Sequence, residues 1–391
     1  MHAESQPMIR RNRTHATPTG RARRLRESAG RLDPYGVPIA SGAVARRRGP
    51  SIKTVLGLSL LLLLIVASVG GILLWQRVAA FNSSVSTAPA ASSALWGALG
   101  GEERINIALF GYGGEEHKSG NYLADSIQIV SIDPKTDTTT IIPIPRDFWI
   151  EGLSQLPDNG KINEAFAIGW QQGGVEEAGT LTTEILTDVT GLEIHHWMAI
   201  DFTGFQGMVD AVGGVTFRNP RFFRYTWNEW KFSHNVWDYS FSRGVITLDG
   251  KHALDYARAR YTDNPRESSD FARSVRQQRV LAALRDKIGP GGLGSLGPGL
   301  SMMDALTDRM KTDLSAIDLF LLSGHLEPDR RIRLKEGRIL EATGNTNGQY
   351  ILVVVGRADP TDYQPLHDFL ERELAKPIRR PNASASGSVG S

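Results

Sequence analysis

The chain has 391 residues, 41% of them hydrophobic, and contains no cysteine. At roughly 150 residues per domain, this length allows one large domain or two ordinary ones with tails, and the abundance of apolar residues excludes disorder over most of the chain. The absence of cysteine excludes disulfide scaffolds, cysteine nucleophiles and thiolate zinc sites.

The formal net charge of +2 hides an asymmetry between the N-terminus and the rest of the chain. Residues 1–53 carry twelve basic and three acidic side chains, a charge of +9, whereas the remaining residues carry −7. The basic segment could bind nucleic acid, but apart from the single Tyr35 no aromatic residues alternate with its arginines, and the pattern predicts no folded nucleic-acid reader. We therefore expect a disordered tail over 1–53 and no nucleic-acid partner.

An uncharged, apolar run occupies residues 54–76. About 20 such residues in a helix cross the hydrocarbon core of a bilayer, so the run predicts one transmembrane helix. A cleaved signal peptide and a buried core helix are the alternatives. Signal peptides have a short charged region and an apolar stretch of about 7–15 residues, whereas here a long basic segment precedes a longer run. A retained span is therefore the favoured interpretation.

The basic flank, with Arg46, Arg47 and Arg48 near the apolar run, predicts the orientation of the span. Basic residues stay on the cytoplasmic side of a membrane helix. The N-terminus is therefore expected in the cytoplasm of the cell, and everything after the span outside the cell membrane.

After the span, small and polar residues predict a stalk over 77–101, and a folded domain follows over 102–376. Strands are predicted at 105–110, 197–202 and 350–355, and a hairpin joins 126–132 to 138–144. Helices are predicted at 173–189, from about Phe205, after the N-cap Asp249, at 270–288 and at about 363–374. This mixture predicts an α/β domain with a central mixed β-sheet covered by helices, and a disordered tail over 377–391.

The helix predicted over 270–288 has polar side chains at the start of its inward face. At 100° per residue, Asp270, Arg273 and Gln277 lie within about 60° of one another, and the same stripe continues in Leu281 and Leu284. Buried polar groups need partners or a ligand. The alternative is an ordinary Asp–Arg pair, three residues apart, at an exposed helix start.

Further arginines occur at Arg146, where the second hairpin strand ends, and at Arg258 and Arg260, which point to one side if extended. Together with Arg273 and Arg276 of the predicted helix, these arginines are expected to converge. Arginine binds phosphate oxygens in a two-pronged geometry, so a polyanion such as a pyrophosphate is the expected ligand. Asp125 and Asp270 could hold a Mg²⁺ that bridges those oxygens, because magnesium takes one or two carboxylates with phosphate and water. Asp125 could equally be a turn or cap residue.

Residues 222–241 hold nine aromatic side chains, among them Trp227, Trp230 and Trp237. Such clusters are usually core or hairpin pairs. The alternative is a binding surface for lipid or sugar.

The pattern of these segments resembles the LytR–CpsA–Psr family of cell-envelope proteins. The resemblance covers about 105–355, and seven segments match in order. They are Leu123-Ala124-Asp125-Ser126-Ile127 with 130–134; Ile144-Pro145-Arg146-Asp147; 161–166; 209–215; 248–254; Arg258-x-Arg260; and Asp270-Phe271-Ala272-Arg273 with Arg276-Gln277-Gln278.

The resemblance implies a membrane-anchored phosphotransferase that moves a glycopolymer, such as a teichoic acid or a capsule polymer, from a polyprenyl pyrophosphate carrier to peptidoglycan. It implies that Asp125 and Asp270 are the metal and acid–base carboxylates, with Mg²⁺, or Mn²⁺ as the alternative, as the metal. It implies that Arg146, Arg258, Arg260, Arg273 and Gln277 hold the pyrophosphate, and that Asp125, Arg146 and Asp270 are catalytic. The alternatives are a polyprenyl-pyrophosphate hydrolase, and a non-enzymatic lipid- or glycan-binding regulator of the transcriptional-attenuator type.

Two positions depart from the family pattern. The first loop of the family often carries an Asp and an Arg, where this chain has Gly113 and Gly114, and an Arg commonly stands at the position of Leu123. One arginine and one carboxylate are therefore missing from the usual set. Glu115, Glu116 or Lys118 could compensate for them.

Overall fold

The computed structural model describes Tyr35 and residues 52–90, 93–117, 122–288, 296–325 and 328–378. The two predicted tails, 1–53 and 377–391, fall almost entirely outside these ranges. The chain divides into two compact units, Met1–Val69 and Gly70–Ser391.

The described secondary structure lies mostly in the larger unit. The helices are α1 (Ile52–Val85), α2 (Ala94–Leu99), α3 (Ile162–Thr190), α4 (Phe202–Ala211), α5 (Glu229–Ser233), α6 (Gly250–Arg258), α7 (Asp270–Ile288), α8 (Leu296–Leu306), α9 (Ala316–Ser323) and α10 (Gln364–Ala375). The strands are β1 (Ile105–Tyr112), β2 (Ala124–Asp133), β3 (Thr138–Ile144), β4 (Trp149–Ile150), β5 (Gly160–Lys161), β6 (His196–Asp201), β7 (Val215–Asn219), β8 (Phe223–Thr226), β9 (Tyr239–Phe241), β10 (Gly244–Leu248), β11 (Tyr261–Thr262), β12 (Met310–Thr312), β13 (Arg330–Arg331), β14 (Leu340–Gly344) and β15 (Tyr350–Val354).

The apolar run predicted to cross a membrane forms most of α1, which has 34 residues. From Leu56 onward this helix is long and apolar enough to span a bilayer. Its leucines and isoleucines, such as Leu61 and Ile65, are exposed in the protein. A continuous apolar surface of this kind marks a membrane or protein contact, and its length matches a bilayer.

The described residues of 77–101, a range predicted as a stalk, belong instead to the folded body. Helix α1 continues to Val85, and the side chains of Phe81, Val85 and Leu95 are buried in one apolar cluster with residues of β1 and α9. The structure differs from the prediction because the few apolar side chains of this segment pack against the central sheet and α9.

One buried carboxylate ties this segment to the body. Asp318 is 1% exposed; its carboxylate accepts hydrogen bonds from Ser93 Oγ at 2.6 Å, from the Leu95 amide at 2.9 Å and from Ser315 Oγ at 2.8 Å. Burial by itself would raise the pKa of Asp318, but these hydrogen bonds outweigh burial and hold the pKa below its ordinary value. The group is therefore ionised in the folded protein.

The predicted mixed central sheet is confirmed, with the strand order β12-β6-β1-β2-β3-β13. Strand β1 runs parallel to β6 and antiparallel to β2, and β2 and β3 form the predicted hairpin. Neighbouring residues of β1 face opposite sides: Ile107 lies in the cluster under α9, and Ala108 in the cluster under α3. Because alternate residues of a strand point to opposite faces, both faces of the sheet are buried.

Helix α3 is longer than predicted. It begins at Ile162, and its geometry breaks at Gly173 and Gly174, where φ is −161° and +80°. A φ of +80° suits a residue without a Cβ, so these two glycines join two helical stretches. The prediction over 173–189 found only the second stretch.

The aromatic residues of 222–241 divide between the interior and the surface. Phe223 and Phe241 pack against each other and against Tyr256 of α6, with ring centroids 5.1–5.7 Å apart. Trp227 and Trp230, by contrast, are 67% and 63% exposed. The run therefore supplies both a core and an exposed aromatic surface.

Helix α7 has the predicted bounds, but Arg276, expected among the converging arginines that bind a polyanion, lines neither of the two cavities that the other arginines line and is a structural residue instead. Arg276 is completely buried, together with Glu267. Its guanidinium donates to the Tyr256 carbonyl at 2.9 Å, to the Glu267 carbonyl at 2.7 Å, to the Glu267 carboxylate at 3.0 Å and to the Ala259 carbonyl. Arg276 therefore joins α7 to the end of α6 and to the 3₁₀ turn Pro265–Glu267.

Replacing Arg276 by Ala should lower the free energy of unfolding by about 3 kcal/mol or more, because the change leaves buried acceptors without their donor and opens a cavity. For a chain of this size the melting temperature should fall by roughly 5–10 °C. Thermal unfolding of the full chain in detergent, followed by circular dichroism, checks this. Arg266, an exposed arginine that precedes Glu267 in the chain, is the matched control. Its Ala variant should have the same melting temperature as the wild type.

Replacing Asp318 by Asn should destabilise the protein by about 1–3 kcal/mol near neutral pH. Since the folded pKa lies below the ordinary value, the contribution of the ionised group is present above about pH 4 and is lost as the pH falls through the folded pKa. The difference in melting temperature between variant and wild type should therefore shrink in acid. Asp304→Asn, which alters an exposed pair with Arg77, should show little effect at any pH.

Candidate active site

The hairpin places one acid and one base side by side. In the register of the hairpin, Ile127 lies opposite Ile144. Positions 125 and 146 are each two residues further from the turn, so they come next to each other. The Arg146 guanidinium donates to the Asp125 carboxylate, and both side chains are largely buried. The predicted pair of Asp125 and Arg146 is thus a consequence of strand pairing.

Arg258, in the last turn of α6, reaches the same carboxylate from another direction. Its Nη2 lies 3.7 Å from Asp125 Oδ2 and 3.2 Å from His117 Nε2. The guanidinium stacks over the Phe202 ring at 4.1 Å, a favourable cation–π arrangement. Burial, and then the charge of Arg258, lower the pKa of His117, so this imidazole is neutral at pH 7.

Asp147 positions Arg146. Its carboxylate is buried and lies 3.6 Å from Arg146 Nε and 2.6 Å from Lys161 Nζ. Burial alone would raise the pKa of Asp147, but the hydrogen bond from Lys161 and the charges of Arg146 and Lys161 outweigh it, and the pKa is lowered. The ionised carboxylate holds the base of the Arg146 guanidinium while its other edge faces Asp125.

Two cavities meet at these residues. The first has a volume of about 270 Å³ and the second about 180 Å³. The residues common to both linings, here called the junction, are Asp125, Arg146, Arg260, Arg273 and Gln277. Arg258 lines the second cavity only. The structure thus brings together six of the seven predicted site residues.

Away from the junction, the two linings come from different elements. The first cavity continues along apolar side chains of the central sheet and of β15, including Ile127, Ile144 and Leu352, and reaches Arg333. The second continues towards β8 and β11 with Tyr225, Trp227 and Tyr261. Beyond the junction, the first cavity therefore combines apolar side chains with Arg333 and other polar groups, and the second is mainly aromatic.

The helix α7 contributes amides as well as Arg273. Ser126 Oγ donates to Gln277 Oε1 at 3.2 Å. Gln278 also lines the first cavity and is buried, and its Oε1 has no hydrogen-bond partner among the described residues. An unpartnered buried amide oxygen is costly, and a bound ligand with a donor would satisfy it.

Asp270 is the predicted site residue that the structure does not place. It is the first residue of α7, and its side chain lies outside the described part of the chain. The described residues contain no group of three or more His, Asp or Glu side chains that could hold a metal ion. Asp125 remains a hard oxygen donor at the junction, which suits Mg²⁺ or Mn²⁺ shared with phosphate oxygens.

The glycine loop that departs from the family pattern lies beside Asp201. Gly114 has φ of +80°, and a Cβ there would approach the Asp201 Cβ to 2.9 Å, so the glycine permits a close approach. Glu116 does not turn to the junction, since its carboxylate accepts from Arg309 Nη2 at 3.0 Å. Lys118 lies outside the described residues. Glu116 therefore does not replace the missing carboxylate.

Several residues around the junction were not predicted from the sequence as site residues: His117, Lys161, Gln278, Trp227 and Arg333. Gln278 stands within a matched family segment but was given no role. A signal for Lys161 and Trp227 also existed, since Lys161 opens a matched segment and Trp227 belongs to the aromatic run. His117 and Arg333 carried no local pattern, because only the folding of distant elements brings them near.

The fold and the site together define an α/β protein in which an arginine-rich junction connects two cavities, one of them with an aromatic lining beyond the junction. A model of the LytR_cpsA_psr family matches residues 78–358. The chain therefore belongs to the LytR–CpsA–Psr family, and the resemblance seen in the sequence is confirmed.

Relatives and solved structures agree with this membership. The chain is 30% identical to the polyisoprenyl-teichoic acid–peptidoglycan teichoic acid transferase TagU of Oceanobacillus iheyensis, over 65% of this chain and 72% of the relative. It is 26% identical to TagU of Enterococcus faecalis, over 68% and 79%. Protein gbs0355 of Streptococcus agalactiae is structurally similar, with a TM-score of 0.53 and 25% identity over 72% of this chain and 92% of that one.

Replacing Arg260 by Gln should weaken the binding of inorganic pyrophosphate at least tenfold, because a hydrogen bond to a charged group contributes about 1.5–3 kcal/mol. Isothermal titration calorimetry of the full chain in detergent measures this. Raising the salt concentration should weaken binding to the wild type as well. Arg266→Gln removes the same charge away from the junction, and equal losses in both variants would contradict a specific site.

Proposed function

We propose that this protein is a membrane-anchored phosphotransferase that moves a glycopolymer from a polyprenyl pyrophosphate carrier to peptidoglycan. The observation that carries the proposal is the junction, where arginines from three parts of the chain and one carboxylate lie between two cavities. The relatives named above are transferases of teichoic acid from a polyisoprenyl carrier to peptidoglycan, and the same chemistry is proposed here.

In this proposal the first cavity takes the prenyl chain and the junction takes the pyrophosphate. The apolar side chains of Ile127, Ile144 and Leu352 suit a hydrocarbon. The guanidiniums of Arg146, Arg258, Arg260 and Arg273, with the Gln277 amide, would bind the phosphate oxygens and neutralise the charge that builds up during transfer.

The reaction joins an acceptor hydroxyl to the phosphorus that carries the sugar. A new oxygen–phosphorus bond forms, the bond to the bridging oxygen breaks, and the prenyl monophosphate leaves with the electron pair. The proton of the hydroxyl passes to a carboxylate at the junction, for which Asp125 is the proposed acceptor. Asp270, at the start of α7, is the proposed second carboxylate.

Mg²⁺ or Mn²⁺ is proposed as the metal, with Asp125 and Asp270 as its protein ligands. A bound divalent cation supplies charge neutralisation at phosphate oxygens. Asp125 is already shared between Arg146 and Arg258, so the arginines orient this carboxylate towards the place where phosphate would lie.

The proposed location is the cell membrane, with the N-terminus in the cytoplasm and the body outside. The nine excess positive charges of residues 1–53 support this orientation, because basic flanks remain cytoplasmic. The bilayer is then a partner through the single span α1.

Replacing Arg146 by Ala should reduce transfer at least 100-fold, because one guanidinium is lost from the charge-neutralising set, while the melting temperature stays within a few degrees. The assay uses the full chain in detergent with a short-chain polyprenyl pyrophosphate-linked sugar, Mg²⁺ and peptidoglycan fragments. Mass spectrometry detects prenyl monophosphate and sugar phosphate joined to the fragment, and EDTA should abolish both.

Arg266→Ala is the matched control for this assay and should transfer as the wild type does. Prenyl monophosphate without a joined product would favour the hydrolase instead. Binding of the lipid without turnover would favour the non-enzymatic regulator, and full activity of Arg146→Ala would rule out the proposed role of the junction.

A further inference from the structure

The second cavity has an aromatic end that the binding of a prenyl pyrophosphate does not explain. Trp227 lines this cavity and is nevertheless 67% exposed, so its ring stands at the rim. Tyr225 and Tyr261 line it further in, beside Arg258 and Arg260. Large exposed aromatic side chains next to a cavity mark binding surfaces more often than isolated surface residues do.

The chemistry of this lining fits a sugar better than a hydrocarbon. A hydrocarbon chain in this cavity would remove water from arginine side chains without offering hydrogen bonds in return, which is costly. A sugar ring has an apolar face that can lie on an aromatic ring and hydroxyls at its edge that can accept from arginine and tyrosine donors. The volume of about 180 Å³ is below the ~300–1,000 Å³ of pockets for drug-sized ligands, and so suits one ring.

The segment that carries Trp227 is held in place by polar contacts. Thr226 Oγ1 donates to Asp238 at 2.7 Å, and Lys231 Nζ donates to the other oxygen of the same carboxylate. Lys231 Nζ also lies 6.0 Å from the centre of the Trp227 ring. The backbone on both sides of the tryptophan is therefore fixed although its ring is exposed, which reduces the entropy lost when a ligand binds.

The direction of the proposed reaction indicates whether this cavity holds the sugar of the donor or that of the acceptor. In phosphoryl transfer the attacking and the leaving oxygens lie roughly in line through phosphorus. If the prenyl phosphate leaves towards the apolar first cavity, the attacking hydroxyl must arrive from another side of the junction. The second cavity is lined by other elements and meets the first at the junction, so it provides that approach.

We infer that the second cavity is the acceptor subsite, in which Trp227 stacks on one sugar ring of a peptidoglycan glycan strand and presents its hydroxyl to the junction. This inference rests on the proposed function for the identity of the acceptor. Trp227 is thus a binding residue for the acceptor and not for the carrier lipid.

The first experiment measures binding alone. Soluble peptidoglycan fragments (disaccharide-peptides and short glycan strands) are titrated into the full chain in detergent micelles by calorimetry. Trp227→Ala should weaken binding about tenfold or more, and Trp227→Phe should restore most of the affinity because the flat ring remains. Trp230→Ala is the matched control: Trp230 is equally exposed but stacks on His234 at 4.3 Å and lines neither cavity.

The second experiment measures transfer by the same variants. Trp227→Ala should raise the KM for the peptidoglycan fragment several-fold and leave the KM for the prenyl pyrophosphate-linked sugar unchanged. A higher KM for the donor with an unchanged KM for the acceptor would overturn the inference, since the cavity would then hold the donor sugar. Unchanged fragment binding in Trp227→Ala, or no fragment binding by the wild type, would also overturn it.

The two experiments separate this inference from the proposed function. Fragment binding that depends on Trp227, in a protein that transfers nothing, would support the acceptor subsite and refute the transferase. Transfer by the wild type with a Trp227→Ala variant of unchanged acceptor KM would support the transferase and refute the subsite.

Discussion

The buried guanidinium of Arg276 is the constraint on which the geometry of the site depends. It lies in the first half of α7 and donates hydrogen bonds to carbonyl groups at the end of α6 and to Glu267 in the following turn. Those two segments flank Arg258 and Arg260, while α7 itself carries Arg273 and Gln277. A buried charge that has lost its water must keep its ion-pair and hydrogen-bond partners. Arg276 therefore keeps these four side chains in one relative arrangement.

The second half of the junction is set by strand pairing. The hairpin of β2 and β3 brings Asp125 next to Arg146, and Asp147 with Lys161 holds Arg146 from behind. The result is a local excess of positive charge on a body that is acidic overall. Since like charges repel and a desolvated guanidinium prefers a carboxylate or phosphate partner, the bound polyanion would itself stabilise this arrangement.

A junction between two cavities of different character suits group transfer. One cavity is lined by apolar side chains of the sheet as well as by polar groups that include Arg333, and the other has aromatic side chains with Trp227 at its rim. A binding protein for one lipid would need only the first. The in-line requirement of phosphoryl transfer explains why both open on the same arginines, and why the aromatic side belongs to the acceptor in the proposed reaction.

The apolar span, the hairpin, the bounds of α7 and the α/β class could be predicted from the sequence alone, and the six residues that the structure brings together came from the charge pattern combined with the family resemblance. These depend on local periodicity, turn residues and charge spacing, which act within a few residues of one another. Four features became visible only in the folded protein: the described residues of 77–101 pack on the body, Arg276 is structural, Asp147 positions Arg146, and Trp227 stands at a cavity. Burial and partners come from segments far apart in the chain, and no local pattern specifies them.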